Sequence, residues 1–207
     1  MATITKEQFT KARKVVTGKV RCSYVSVFAP RLNTNSNEME YSMELMIPKS
    51  DTATVSAVKK AMKASEAFKF PKGRPNPKLK EWYDPLIDAD DAMALDAEDN
   101  EVPLTTKRPE TKGCYLLRVK NKEAVPIVDR NRQPVLDQSE FASGDYARAS
   151  INAHPFDVGK NAGVTFFLNA IQVVGKGEPL GGGVNVETEF DDWDEEEEAE
   201  AATEDWE

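Results

Sequence analysis

Five segments in which apolar and polar residues alternate constrain the fold of this chain more than any other feature. They are residues 19–28, 39–47, 114–122, 145–153 and 163–174. Such alternation is typical of β-strands with one face against a core. The last segment, GVTFFLNAIQVV, is apolar on both faces, as a central or closed-barrel strand would be. The segments and their turn-rich connections predict a mainly β fold, a small five-stranded barrel with inserted loops.

The pattern within the first two segments predicts more detail. The apolar phase of the first changes from Val20 and Cys22 to Val25 and Val27, which indicates a β-bulge near Tyr24. The second is predicted to form a hairpin with the first and to have two distinct faces. One face carries Met39, Tyr41, Met43, Leu45 and Ile47, and the other carries Glu40, Ser42 and Glu44.

One main helix is predicted after the second strand. Ser50 or Asp51 can cap it, and an apolar stripe that includes Val58 continues until Pro71 ends the helix. Residues 69–85, KFPKGRPNPKLKEWYDP, combine prolines with five basic residues and an aromatic pair. They are predicted to form an irregular surface excursion.

Charge is unevenly distributed along the chain. The net charge is −9, yet residues 187–207 contain 13 acidic residues and no lysine or arginine, which leaves 27 basic and 23 acidic residues before them. A run of this kind cannot bury enough apolar surface to fold. We therefore expect three parts: an N-terminal extension (1–18), a folded domain (19–180), and a glycine hinge with a disordered acidic C-terminal tail (181–207).

Motifs for catalysis or metal binding are absent from the sequence. His154 is the single histidine and has no nearby nucleophile, and Cys22 and Cys114 lack CxxC spacing. Asp88 and Asp90 resemble the start of a calcium loop, but the next ligand and the turn glycine are missing. The sequence therefore predicts a non-enzymatic protein without a cofactor or a metal.

Basic and aromatic residues are interleaved on the predicted strands and loops. Single-stranded nucleic acid is held in this way, because cations follow the phosphates while flat rings stack on the bases. The candidate DNA-binding residues are Arg21, Tyr24, Phe28, Arg31, Lys69, Lys72, Arg74, Lys78, Lys80, Tyr115, Arg118, Lys120, Tyr146, Arg148 and Phe156.

The acidic tail carries two tryptophans, Trp193 and Trp206. A polyanion with aromatic groups can imitate single-stranded DNA, so we expect the tail to compete with DNA for the basic body and to recruit partners when released. Both tryptophans are candidate partner-binding residues, because a buried indole can dominate binding energy.

Several ordered stretches resemble a known family. They are GKVRCSYVSVFAPR (18–31), YSMELMIPKSD (41–51), PIVD (126–129), EFASGDYARASINAHPF (140–156) and NAGVTFFLNAIQVVGKGEPLGGG (161–183). The chain is similar to bacteriophage single-stranded DNA-binding proteins with an OB-fold body and an acidic C-terminal tail. The resemblance implies an OB-like barrel, binding of single-stranded DNA in phage replication or recombination, and contacts with replication proteins through the tail. One departure leaves the strand order open: the helix here follows the second strand, whereas the usual OB fold places it between the third and fourth.

Two other functions remain as alternatives. An acidic DNA mimic that inhibits a nucleic-acid enzyme would need an acidic body, and a metal-dependent nuclease would need converging carboxylates. The sequence leaves self-association open. It has neither a signal peptide nor an apolar run of the roughly 20 residues that span a bilayer, so we expect no membrane partner and a location in the cytoplasm, that of the host cell if the chain is phage-encoded.

Overall fold

The computed structural model describes residues 4–34 and 36–180. The first elements are α1 (Lys6–Ala12), β1 (Lys14–Val16), β2 (Val20–Asn33), β3 (Glu38–Pro48) and α2 (Thr52–Lys69). Short elements follow: β4 (Glu81–Tyr83), β5 (Leu86–Asp88), β6 (Met93–Leu95), β7 (Glu101–Pro103), α3 (Leu104–Lys107) and a 3-10 turn (Pro109–Thr111). The last elements are β8 (Cys114–Asn121), β9 (Ile127–Val128), a 3-10 turn (Gln138–Glu140), β10 (Tyr146–Val158) and β11 (Asn161–Gly175).

The five long strands close into a ring. Its order is β2, β3, β8, β11, β10 and back to β2. Neighbours are antiparallel except β8 and β11, which pair in parallel. Each long strand overlaps one of the five alternating segments. The prediction of a mainly β, OB-fold-like barrel is therefore confirmed, and the ring supplies the strand order that the sequence left open.

The core fills the inside of this ring. Val20, Leu45, Leu117, Ile151 and Phe166, one from each long strand, are fully buried in a single cluster. The main helix α2 lies between the second and third barrel strands in the chain, as predicted. It adds Val58 and Ala61 to the cluster and packs on β1 and β10.

The helix cap and the bulge agree with the sequence pattern. The carboxylate of Asp51 accepts a hydrogen bond from the amide of Thr54 at 3.0 Å, and α2 ends two residues before Pro71. The β2–β3 register is interrupted between Ser23 and Ser26. Tyr24, inside this interruption, adopts a φ of 48°, so the bulge turns its side chain away from the regular alternation of β2.

The two predicted faces of β3 are present, with a difference at Met39. Met43, Leu45 and Ile47 face the core as expected. On the opposite face Glu40 and Ser42 are buried, and side chains of β2 and β8 contact the Glu40 carboxylate. Met39 is 52% exposed, because β3 extends beyond Tyr41, its last residue paired with β8.

The N-terminal elements pack on the barrel. The rings of Phe9 and Phe68 are stacked with centroids 4.3 Å apart, which joins α1 to α2. β1 pairs with β10 and buries Val15. The limit of the N-terminal extension at residue 18 stays a prediction. Among the described residues, no helix is long and apolar enough to cross a membrane.

Candidate nucleic-acid interface

A groove of about 330 Å³ lies on the outer face of β2, β3 and β8. Its lining includes Tyr24, Ser26, Arg31, Glu40, Glu44 and Arg118. OB folds bind oligonucleotides on the face of their second and third strands. In the ring, those strands are β3 and β8, so the groove occupies the position expected of a nucleic-acid site.

Tyr24 is the exposed aromatic residue of this groove. Its positive φ at the bulge projects the side chain outward, and 63% of the residue is exposed. The guanidinium carbon of Arg108 lies 4.9 Å from the ring centroid, a distance at which a cation is attracted to an aromatic face. The ring is therefore held by a cation and still accessible to a base.

Arg108 reaches this site from the excursion between β7 and β8. Its Nη2 donates to Glu44 Oε1 at 2.7 Å and to Ser23 Oγ at 3.1 Å, and its Nε donates to Glu110 Oε1 at 3.2 Å. Burial opposes the charge, but these carboxylates raise the pKa of Arg108 above its ordinary value. Sequence reasoning missed Arg108, because 85 residues separate it from Ser23 and no local pattern marks it.

Glu40 organises the other cations of the groove. It is 5% exposed, and its carboxylate pairs with Arg118 Nη2 at 3.1 Å and Lys120 Nζ at 2.9 Å. Asn33 Nδ2 also donates to it, at 2.9 Å. Burial works against its charge, yet the hydrogen bonds from Lys120 and Asn33 and the charge of Arg118 hold the pKa of Glu40 below its ordinary value. This buried carboxylate fixes the positions of two candidate DNA-binding residues.

The structure thus brings together four of the residues predicted from the sequence: Tyr24, Arg31, Arg118 and Lys120. Phe28 does not join them as an open platform, because it is partly buried against the core cluster. Arg31 links two surfaces, since it also lines the cleft that contains Phe28.

Arg21, Tyr146 and Arg148 lie on the outer face of β2 and β10. Lys19 Nζ is 4.3 Å from the Tyr146 ring centroid. Arg21 donates to the carbonyls of Gly144 and Glu178, and Arg148 Nε donates to Thr17 O at 3.2 Å. These residues form a basic surface beside the groove. They are not part of its lining.

Residues 176–180 cross the outer surface from β10 toward β3. The amide of Gly177 donates to Asp145 Oδ1 at 3.0 Å, and Arg21 Nη2 donates to Glu178 O at 2.7 Å. Leu180 packs against the cluster formed by Met46, Ala89 and Leu116 on the groove side of the barrel. Pro179 and Leu180 also line a small cleft with Tyr24 and Arg108. The described chain therefore ends next to the groove.

Tyr115 is separated from Arg118 and Lys120, with which the sequence interpretation grouped it. Arg118 and Lys120 point outward from β8 to the groove, whereas Tyr115 packs against the core side, near α2. Lys49 and Lys59 lie 5.4 Å and 4.7 Å from its ring centroid. Residues 115 and 118 differ by an odd number, so a strand places them on opposite faces.

The excursion after α2 is only partly available for a ligand. Arg74 forms a bidentate pair with Glu66 and stacks over Trp82 at 4.4 Å, and Lys80 pairs with Asp157. Lys69, Lys72 and Lys78 are exposed.

Phe156 contacts Tyr83, with centroids 6.1 Å apart, away from the groove lining. Trp193 and Trp206 lie outside the described residues.

Within residues 4–34 and 36–180, no group of histidine, cysteine, aspartate and glutamate side chains is arranged to hold a metal ion.

Comparison with known proteins places these features in context. Residues 13–200 match the model of the family described as Enterobacter phage Enc34, ssDNA-binding protein. A putative protein p50 from Acyrthosiphon pisum secondary endosymbiont phage 1 is 25% identical over 181 residues, which cover 86% of this chain and 93% of that protein.

Two solved structures share the fold. The single-stranded DNA-binding protein of bacteriophage Enc34 in complex with ssDNA matches with a TM-score of 0.64 and 17% identity, over 83% of this chain and 91% of that one. Gp2.5, a single-stranded DNA-binding protein encoded by bacteriophage T7, matches with a TM-score of 0.54 and 16% identity. The match covers 87% of this chain and 96% of that one. At these identities the likeness shows a common fold.

Proposed function

Because this chain belongs to the Enterobacter phage Enc34 ssDNA-binding protein family, we propose that it binds single-stranded DNA without enzymatic turnover and largely independently of sequence. The observation that carries the proposal is the exposed Tyr24 ring, backed by Arg108, in a groove on the face that OB folds use for oligonucleotides. Base–aromatic stacking tolerates any sequence, since every base has a π-face.

The charges around the groove support a divided role for its residues. Arg108, Arg118 and Lys120 are already paired with Glu44 or Glu40. Because carboxylates already balance these cations, the centre of the groove attracts phosphate less than unpaired cations would, so bases lie against Tyr24 and the phosphates follow its basic margin. Arg31 on one side and the surface of Arg21, Tyr146 and Arg148 on the other are suited to that margin.

The acidic tail belongs to the same proposal. Leu180 lies beside Tyr24 and Arg108, and the acidic run begins at Glu187. Seven extended residues reach at most roughly 24 Å, so the acidic run starts within that distance of Leu180 and is tethered to the groove at high effective concentration. The tail competes there with DNA, and when DNA displaces it, Trp193 and Trp206 recruit replication or recombination proteins.

Titration of labelled single-stranded and duplex oligonucleotides tests the proposal by fluorescence anisotropy, with and without magnesium. We expect saturable binding of the single strand, weaker binding of the duplex and no cleavage. The logarithm of affinity should fall with the logarithm of salt concentration by about 0.7 per phosphate contact. Cleavage of the oligonucleotide would favour a nuclease, and absence of single-strand binding at low salt would contradict the proposal. In that case inhibition of a nucleic-acid enzyme would support the DNA mimic.

A further inference from the structure

A second cluster of cations lies on α2, apart from the groove. Lys59, Lys60 and Lys63 are exposed and line a shallow depression of about 550 Å³ with Tyr115. With 3.6 residues per turn, the three lysines fall within about 100° of one another on the helix. They lie opposite its buried stripe of Thr54, Val58, Ala61 and Ser65. We call these three residues the α2 lysine face.

The charges of the α2 lysine face are not neutralised within the described part of the chain. Groove cations such as Arg118 and Lys120 each pair with a carboxylate, whereas Lys59, Lys60 and Lys63 have no such ion pair among residues 4–34 and 36–180. The acidic residue within α2, Glu66, is bound to Arg74. A helix that exposes three such lysines is suited to a polyanion.

The surface offers charge without a stacking platform. Lys59 Nζ lies 4.7 Å from the Tyr115 centroid and donates to its hydroxyl at 3.4 Å. Lys49 Nζ lies 5.4 Å from the same centroid and is held by Asp88 and Asp90 at 2.5 and 2.8 Å. The ring already serves two ammonium groups. With an ammonium group held at the ring from each of two lysines, this surface is suited to a ligand that is recognised by its backbone charge.

We infer that the α2 lysine face binds the phosphate backbone of a single DNA strand that is too long for the groove, an inference that rests on the proposed function. Single-stranded DNA and the acidic tail are both polyanions that fit the charge of this face. The position of Leu180, the last described residue, favours DNA. Leu180 packs on the groove side of β3 and β8, whereas α2 and Tyr115 lie on the other side of β8. The described chain thus ends at the groove, while a long strand is free to continue past it.

The test compares two oligothymidylates on the full chain. One has about 5 nucleotides and the other about 20, near and beyond the limits of OB-fold site sizes. In the triple variant K59Q/K60Q/K63Q we expect unchanged affinity for the short strand and at least about fivefold weaker binding of the long strand at low salt. The salt slope for the long strand should decrease by up to about 2, since each lost phosphate contact removes about 0.7.

Two control variants separate position from total charge and from folding. K6Q/K11Q/K112Q removes the same charge from other exposed lysines and should leave both affinities unchanged. K59R/K60R/K63R keeps the charge and should restore binding of the long strand, and equal melting temperatures would exclude misfolding.

The outcomes that overturn the inference are distinct. An unchanged affinity for the long strand, or an equal loss in K6Q/K11Q/K112Q, would show that the α2 lysine face makes no local contact. If K59Q/K60Q/K63Q instead loses affinity for a synthetic peptide of residues 187–207 while long-strand affinity stays the same, the occupant is the tail. Failure of the unaltered protein to bind even the short strand would contradict the proposed function itself.

Discussion

Tyr24 combines backbone strain with exposure. A bulky residue at positive φ is a genuine outlier, and such strain costs of order 1–3 kcal/mol and clusters at functional sites. Here the strain projects a ring that is 63% exposed toward Arg108. A residue kept only for stability would bury the ring or be glycine.

Replacing Tyr24 by glycine should therefore separate stability from binding. The change relieves the positive φ but gives up a cation–π contact of roughly 0.5–1 kcal/mol and adds unfolded-state entropy. We expect the free energy of unfolding, measured by urea titration, to change by less than about 1 kcal/mol. Affinity for single-stranded DNA should fall by about 1–3 kcal/mol.

The variant Tyr24→Phe provides the matched control, because it keeps the ring and loses only the hydroxyl. Its affinity should stay close to that of the unaltered protein. Equal losses in both variants would show that the hydroxyl, not stacking, makes the contact, and unchanged affinity in Tyr24→Gly would remove Tyr24 from the interface.

At the scale of elements, the segment 176–180 follows β11 and passes directly over Gly144. Gly144 has a φ of +109°, and a Cβ atom there would lie 2.1 Å from the carbonyl oxygen of Glu178. The segment passes over the barrel at this point only because residue 144 lacks a side chain.

Replacing Gly144 by alanine should displace this segment. We expect a loss of at least about 2 kcal/mol in the free energy of unfolding, since backbone strain of about 1–3 kcal/mol adds to a clash with backbone. Gly73→Ala is the control, because Gly73 has a similar φ of +99° with nothing within 4 Å of the added Cβ. Equal losses in thermal or urea unfolding would mean that strain alone acts at residue 144.

At the scale of the whole molecule, the chain separates its charges. The first 186 residues carry a net charge of +4, and the following 21 residues carry 13 acids. Opposite charges on one chain attract over distances comparable to a Debye length of about 10 Å at 0.1 M salt. Salt therefore controls how strongly the tail competes with DNA.

Removal of residues 187–207 should tighten single-strand binding, with the largest gain at low salt, and should raise any affinity for duplex DNA. Anisotropy titrations over a range of salt concentrations measure both effects. The double variant W193A/W206A keeps every carboxylate and should leave DNA affinity unchanged if competition is electrostatic. A truncated protein with unaltered affinity at every salt concentration would rule out competition by the tail.

The elements of this fold could be predicted from the sequence because each depends on neighbours in the chain. Alternation identified the five barrel strands, a change of phase located the bulge near Tyr24, and Ser50 or Asp51 marked the start of α2, which Asp51 caps. The division between a basic body and an acidic tail is likewise a property of composition alone.

Only the closed ring of strands decided which side chains share a surface. Strand pairing brought Arg108 to Tyr24 across the chain and set Glu40 between Arg118 and Lys120. It also left Tyr115 beside α2 and Tyr146 beside Lys19, outside the groove. Local periodicity determines whether a residue faces in or out, but the pairing order of distant strands determines its neighbours. The barrel was therefore predictable from the sequence, whereas the groove required the tertiary structure.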